Sequence, residues 1–448
     1  MKTTDLIIIG SGPGGYRAAE YAAKHGLQVI VIEKDELGGT CLNRGCIPTK
    51  TLCRNAEITD MLREADKLGL KNLSYDIDFS LIKERQNTVI EQLRNGVEFL
   101  MSQPGITFVH GNGSFKDNKT VVVGNEEYTA DNIIIATGAV PKMPNIPSFD
   151  KNAVITSDEL LATDRIPQRL CIIGAGVIGM EFASIFSSFG SEVTVIEYMK
   201  ECLPVLDSDV AARLRKTLTR KGIKFFMQSA VTAVTKGSVT FEKKGKAQTI
   251  EADAILVATG RRPNIDGLNL DASGVKYDVN GIATDKNMMT NVTGIYAIGD
   301  VNNRCMLAHA ATMQGIRAVN TILGKTDDIR FDIMPSAIFT NPEAASVGAS
   351  EDLCKSSGMA YTCHKTYHRA NGKALAMNEP EGMVKLIADV AGKIIGCHAF
   401  GAHSADMVQE ISVLMCRNTT VGQLKYMIHA HPTVNEMLQE AAEALNIK

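Results

Sequence analysis

Two cysteines with four residues between them, Cys41 and Cys46, stand in the run GGTCLNRGCIPTK, a short way past a glycine-rich loop. A thiol pair can open and close as a disulfide, and a helix entry or a nearby cation lowers thiol pKa and speeds exchange. The run places both cysteines on a helix entry, with their separation spanned by one turn when bridged. Lys50, one turn beyond Cys46, is a cation able to balance thiolate charge. Far downstream, MIHAHPTVNEML holds His429, His431 and Glu436. Histidine supplies a base near neutral pH, and an acid on its other ring nitrogen fixes the tautomer. Pro432 is expected to start a helix that brings Glu436 one turn round to His431. The chemistry these residues describe is thiol–disulfide exchange with a base and its orienter. A His-x-His pair without a third clustered ligand is a poor metal site, and no CxxC pair offers another, so no metal is expected.

The elements that must hold these residues come in two copies. LIII at 6–9 reads as a buried parallel strand; Gly10, Gly12 and Gly15 follow as GxGxxG, then a helix and the strand QVIVIEK. LCIIG opens the second copy, with Gly174, Gly176 and Gly179, the helix MEFASIFSSFG and the strand EVTVIEY. Glu33 follows Gly10 by 23 positions, and Glu197 follows Gly174 by the same 23. That is where an acid meets the adenosine ribose of a dinucleotide. In each copy the first glycine permits the turn and the second admits the pyrophosphate. The third lets helix and strand pack closely, with free N–H groups facing the phosphates. DNIIIATG, with Thr137 and Gly138, and DAILVATG, ending at Gly260, read as buried strands with a tight glycine turn that close each unit.

GIYAIGD is read as a further strand ending at Asp300, and MLAHAATMQGIRAVNTIL as a helix; here the first domain resumes, so the second is inserted into it. The segment 55–100 reads as one or two long polar helices. The expected architecture is α/β: two Rossmann-like nucleotide-binding domains, the second inserted in the first, and a C-terminal α+β domain suited to making a dimer. The boundaries expected are 1–140 for the first part of the first domain, 141–262 for the second, 263–325 for the resumed part, and 326–448 for the interface domain.

Composition excludes several classes. The 448 residues are 45% hydrophobic and 22% charged with a net charge of −3, which gives no reason to invoke nucleic acid. The first apolar run is short and leads straight into a glycine loop, so it reads as a strand and not as a leader or anchor, and no stretch reaches membrane length. A cytoplasmic protein is expected. Ten cysteines are too few for a secreted disulfide scaffold, and the eight outside the pair read as ordinary core or surface thiols.

Ligand identities follow in part. Glu197 would accept hydrogen bonds from ribose hydroxyls and repel a 2′-phosphate, which favours NAD, though Lys200 weakens this slightly. A cysteine pair beside the first nucleotide points to a redox ring held there permanently, hence FAD. Glu181, an acid on an otherwise apolar helix, is a candidate partner for Lys50.

GGTCLNRGCIPTK, GAGVIGMEFAS, GIYAIGD and HAHPTVNE, in this order, resemble the redox, NAD, FAD and base motifs of the pyridine nucleotide–disulfide oxidoreductases over essentially the whole chain. The resemblance implies the branch that oxidises a carrier-bound dihydrolipoyl group and reduces NAD+. Cys41 would then be the interchange thiol and Cys46 the flavin-contacting one, with Lys50 near the flavin and paired to Glu181. Asp300 would bind the FAD ribitol, Met306, Leu307, Ala308 and His309 would line the flavin and pyrophosphate, and Gly113 would touch the adenosine half. Glu197, Val231 and Gly260 would contact NAD, and His431, oriented by Glu436, would be the base. It also implies one tightly bound FAD per subunit, and a homodimer in which His431 serves the other subunit's disulfide. The implied partner is a separate lipoyl-bearing protein of a 2-oxoacid dehydrogenase or glycine-cleavage type of complex. Glutathione-type and mercuric-type reductases using NAD(P)H are the rival branches; Glu197 argues against the first and the lack of a C-terminal cysteine pair against the second.

Overall fold

Strands without polar interruption need cover on both faces, and the helices after each glycine loop supply it. In the computed structural model, residues 2–445 are described, and they form two compact units, each discontinuous in sequence. One comprises the chain up to Thr51 with Ser80–Lys142 and Gly260–Ile329; the other comprises Leu52–Phe79, Met143–Thr259 and the chain from Arg330 on.

In the first unit, Ile106–His110, Val29–Glu33, Lys2–Ile9 and Glu126–Ile135 pair in that order, all parallel. The first strand is longer than LIII, because its solvated start pairs with Tyr128–Ala130. Glu126–Ile135 begins as a hairpin with Thr120–Val123 and ends beside Ile295–Ala297, in parallel register Ile133↔Ile295 to Ile135↔Ala297. The late segment therefore completes the first sheet, and along the chain the second nucleotide-binding fold falls between the segments of the first unit. The strand read in GIYAIGD stops at Ala297; Asp300 stands in a 3-10 turn, Gly299–Asn302, and Gly299 has φ +72°. The core on one side of this sheet is Ile7, Ile9, Ile30, Ile32, Ile133 and Ile135 packed on Phe115, Leu268 and Val301.

In the second unit, Lys224–Phe226, Glu192–Ile196, Arg169–Ile173 and Ala254–Val257 make a four-stranded parallel sheet. The chain from Arg330 on builds a five-stranded antiparallel sheet, and the helices Ser404–Cys416 and Glu436–Ala444 bury Met407, Ile411, Met437 and Leu438 against it. Among the described residues no helix is long and apolar enough to cross a membrane.

Candidate active site

The first glycine loop is built by two close approaches and one open position. Gly10 has φ +107°, and a Cβ there would lie 2.4 Å from the Ala136 carbonyl oxygen; a Cβ on Gly15 would lie 1.9 Å from that of Gly10. A Cβ on Gly12 would meet no protein atom within 4 Å, so the space beside it is open to a ligand. The helix Pro13–Lys24 starts here with no side-chain cap, leaving its first N–H groups for an anion. Glu33 ends its strand buried, accepting from Ser11 N (2.7 Å) and Oγ (2.8 Å) and from Asp35 N (3.0 Å). Its carboxylate is thereby fixed over the loop, where the ribose is expected. Gly113 packs on Ile9 and Ile32 at the same sheet end, and Thr137 Oγ1 donates to the Asn264 carbonyl at 2.6 Å while Gly138 turns with φ +70°.

The second loop repeats the backbone bonds of the first. Gly10 N donates to Ile32 O at 2.8 Å and Gly174 N to Ile196 O at 2.8 Å; Ala136 N reaches Ile9 O and Ala258 N reaches Ile173 O, both at 2.8 Å. A Cβ on Gly174 would lie 2.5 Å from the Ala258 carbonyl oxygen, one on Gly179 2.1 Å from that of Gly174, and one on Gly176 or Gly260 in open space. Glu197 accepts from Ala175 N at 2.6 Å and Met199 N at 2.7 Å. Lys200 is exposed, and Val231 sits at a bulge in Ser229–Thr235, the strand whose first N–H donates to the Glu197 carbonyl. After the second strand of each copy the chain returns to its loop: Gly38 N donates to Ser11 O at 3.1 Å, and Leu203 N to Ala175 O at 2.9 Å. Gly38 (φ +98°) and Leu203 (φ +50°) both take the left-handed conformation there.

In the first copy that return carries the thiols. Gly39 (φ +61°) packs so tightly that a Cβ would lie 2.7 Å from the Gly12 Cα. Cys41 follows on the short helix Gly39–Arg44. Gly45 breaks that helix, and Cys46 opens the next, Cys46–Arg63. The single helical turn expected between the sulfurs is thus two helices meeting at a glycine, where a Cβ would lie 2.9 Å from the Thr40 carbonyl oxygen. Pro48, in the first turn, loses no needed donor. Cys41 and Cys46 are unbridged and hydrogen-bonded to each other. That bond, then burial, pushes the Cys41 thiol up, and the nearby Lys50 ammonium opposes the rise. Replacing Gly39 by alanine is expected to lower stability by about 1–3 kcal/mol and to loosen the hold on the first nucleotide, measured by thermal melting and by release of bound chromophore.

Asp300 is half-buried; burial pushes its carboxyl up and Arg261 opposes this. Among the described residues its carboxylate makes no hydrogen bond, which suits a ligand hydroxyl. Met306 precedes the helix Ala308–Ile322, which Leu307 starts without a side-chain cap and which has His309 in its first turn. Two uncapped helix starts, an open glycine and a desolvated acid with no protein partner fit FAD.

His431 Nδ1 lies 2.9 Å from Glu436 Oε1, and Thr433 N donates to Oε2 at 2.8 Å. The Thr433 N–H first, and His431 second, hold the Glu436 carboxyl below its ordinary range. The helix expected from Pro432 begins instead at Glu436, so a loop brings the acid to the ring. His431 is 80% exposed, whereas His429 is 7% exposed and held by Glu410 at 2.9 Å. Of the two, His431 is the ring open to solvent. Glu181, buried on Val177–Ser188, accepts from Phe339 N at 2.9 Å. Among the described residues no group of three acids, histidines or cysteines is placed to hold a metal.

Sequence reading missed Tyr16, whose hydroxyl is pushed up by burial and then by Cys41. It also missed Arg94, which meets Asn43 inside the redox run. The position of Tyr16 one turn past Gly12 could have pointed to the first; Arg94 carries no local signal.

Comparison with known proteins adds an independent line. Residues 4–315 match the family model described as pyridine nucleotide-disulphide oxidoreductase, and 334–442 that family's dimerisation domain. The dihydrolipoyl dehydrogenase of Chlamydia muridarum is 39% identical over 445 residues, 98% of this chain and 96% of the relative. That of Bacillus subtilis is 37% identical over 455 residues, again 98% and 96%. Among solved structures, the Cu(II) complex of the HOCl-induced flavoprotein disulfide reductase RclA from Escherichia coli superimposes with a TM-score of 0.89 at 28% identity, covering 100% of both chains.

Proposed function

The chain belongs to the pyridine nucleotide-disulphide oxidoreductase family, and from that premise we infer that it is an FAD- and NAD-dependent enzyme with dihydrolipoyl dehydrogenase activity. The observation that carries this reading is the Cys41–Cys46 pair seated on the first dinucleotide loop through Gly39.

In the oxidative direction His431 takes a proton from a substrate thiol, and Glu436 keeps Nδ1 engaged so that Nε2 is the accepting atom. The substrate sulfur attacks Cys41 of the bridge, and Cys46 leaves as thiolate. The second substrate thiol then displaces Cys41, giving lipoamide and the protein dithiol. FAD, when bound, would supply the two-electron chemistry that links the protein dithiol to NAD+. Lys50 offsets the negative charge this places beside Cys41, and its pairing with Glu181 is part of the proposal. Gly10, Gly12, Gly15, Glu33, Gly113, Thr137, Gly138, Asp300 and Met306 to His309 hold FAD. Gly174, Gly176, Gly179, Glu197, Val231 and Gly260 hold NAD.

The match of 334–442 to the family's dimerisation domain supports a homodimer. The exposure of His431 in one chain supports its service to the partner's cysteines. The dihydrolipoyl group would arrive on a separate carrier protein in the cytoplasm. Pure holoenzyme is expected to reduce NAD+ with dihydrolipoamide, and NADP+ far more slowly; reduction of glutathione disulfide by NADPH, with no dihydrolipoamide activity, would replace this reading with the rival one.

A further inference from the structure

The residues between the two cysteines are anchored on both flanks. Asn43 Nδ2 donates to the carbonyls of Leu37 and Gly39, both at 3.0 Å. Asn43 Oδ1 accepts two donors of one guanidinium, Arg94 Nε at 3.1 Å and Nη2 at 3.0 Å, and the same Nη2 reaches Glu36 at 2.7 Å. Arg44 pairs with Asp35, the residue whose N–H meets Glu33. Arg94 stands on the long helix Phe79–Met101, which also grips the second thiol-bearing helix. Buried Gln86 donates to the Pro48 carbonyl at 3.1 Å, and Arg85 to that of Thr51 at 3.4 Å. One rigid element thus holds both sides of the break at Gly45.

We propose that Asn43 and Arg94 are a positioning pair that keeps the two cysteine-bearing helices at bridging separation while the thiols are reduced. The proposal rests on the reading of Cys41 and Cys46 as a redox couple. A disulfide fixes its own geometry, with Cα atoms roughly 4.4–6.8 Å apart. The dithiol has no such bond, so its freedom is limited only by the frame. A tight frame lowers the entropy of the reduced form more than that of the bridged form, raises the effective concentration of one thiol at the other, and makes the couple more reducing. Loosening the frame favours the dithiol. A merely stabilising surface contact would change melting and leave this equilibrium alone.

The test is equilibration of pure holoenzyme in dithiothreitol redox buffers, where the buffer's two thiols become its disulfide as the Cys41–Cys46 bond breaks and the sulfurs take up two protons, followed by alkylation and counting of trapped thiols. Arg94→Ala is expected to favour the dithiol about tenfold, a midpoint about 30 mV more positive for a two-electron couple. Arg94→Lys keeps the charge but cannot present the same fork, and is expected to shift in the same direction. Unchanged midpoints in both variants, with lowered melting temperatures, would overturn the proposal. So would a shift confined to the alanine variant, which would assign the effect to charge. A wild-type protein whose two cysteines never titrate together would instead remove the functional reading itself.

Discussion

Replacing Cys41 by serine is expected to lower dihydrolipoamide-dependent NAD+ reduction by a factor on the order of 10³ or more, while anaerobic NADH still bleaches the bound flavin. The separation follows from the fold. Cys41 belongs to the segment that returns onto the first glycine loop, and the second loop shares none of its atoms. A hydroxyl cannot take part in exchange, since the thiolate is the nucleophile and a serine hydroxyl stays protonated. Cys46→Ser should abolish turnover as well, and should also remove the long-wavelength absorbance that a thiolate beside an oxidised flavin produces. Stopped-flow spectroscopy of both variants checks the pair. Loss of flavin reduction by NADH in Cys41→Ser would show that this sulfur lies on the nicotinamide side and would overturn the assignment.

His431→Gln is the second large effect. Glutamine fills similar space but takes no proton, so the dithiol half-reaction is expected to slow by about 10²–10⁴ while the NADH half-reaction stays near its wild-type rate. The pH profile should change with a definite sign. Without the imidazole only the thiolate fraction of the substrate attacks, and below a thiol pKa of about 8.5 that fraction grows about tenfold per pH unit. The variant's rate should therefore climb steeply through neutral pH where the wild-type rate is flatter. Equal slowing of both half-reactions would contradict the role given to His431.

The cradles and the base pair were legible because their physics is local. Gly15, Gly179, Glu33 and Glu197 each meet neighbours within one strand–helix–strand unit, so spacing alone locates them. The same holds for His431 and Glu436, five positions apart. What failed was also local but finer. The break at Gly45 looks like uninterrupted helix by composition, yet Thr40's carbonyl leaves no room there for a side chain. Pro432 looked like a helix start, but its loop bonds Thr433 N to Glu436 and delays the helix. Arg94 was out of reach for a different reason: its partner Asn43 is 51 positions away, and no periodicity links a half-buried arginine to a short helix that distant.

The matched contacts of Gly38 and Leu203 have one more implication. Two nucleotide-binding folds cut to a single pattern diverge at the same point, where one lays two glycines ahead of a cysteine pair and the other a buried leucine beside a single buried cysteine, Cys202. The capacity to store an electron pair is thus a short graft upon a generic holder, present in one twin and absent from its sibling.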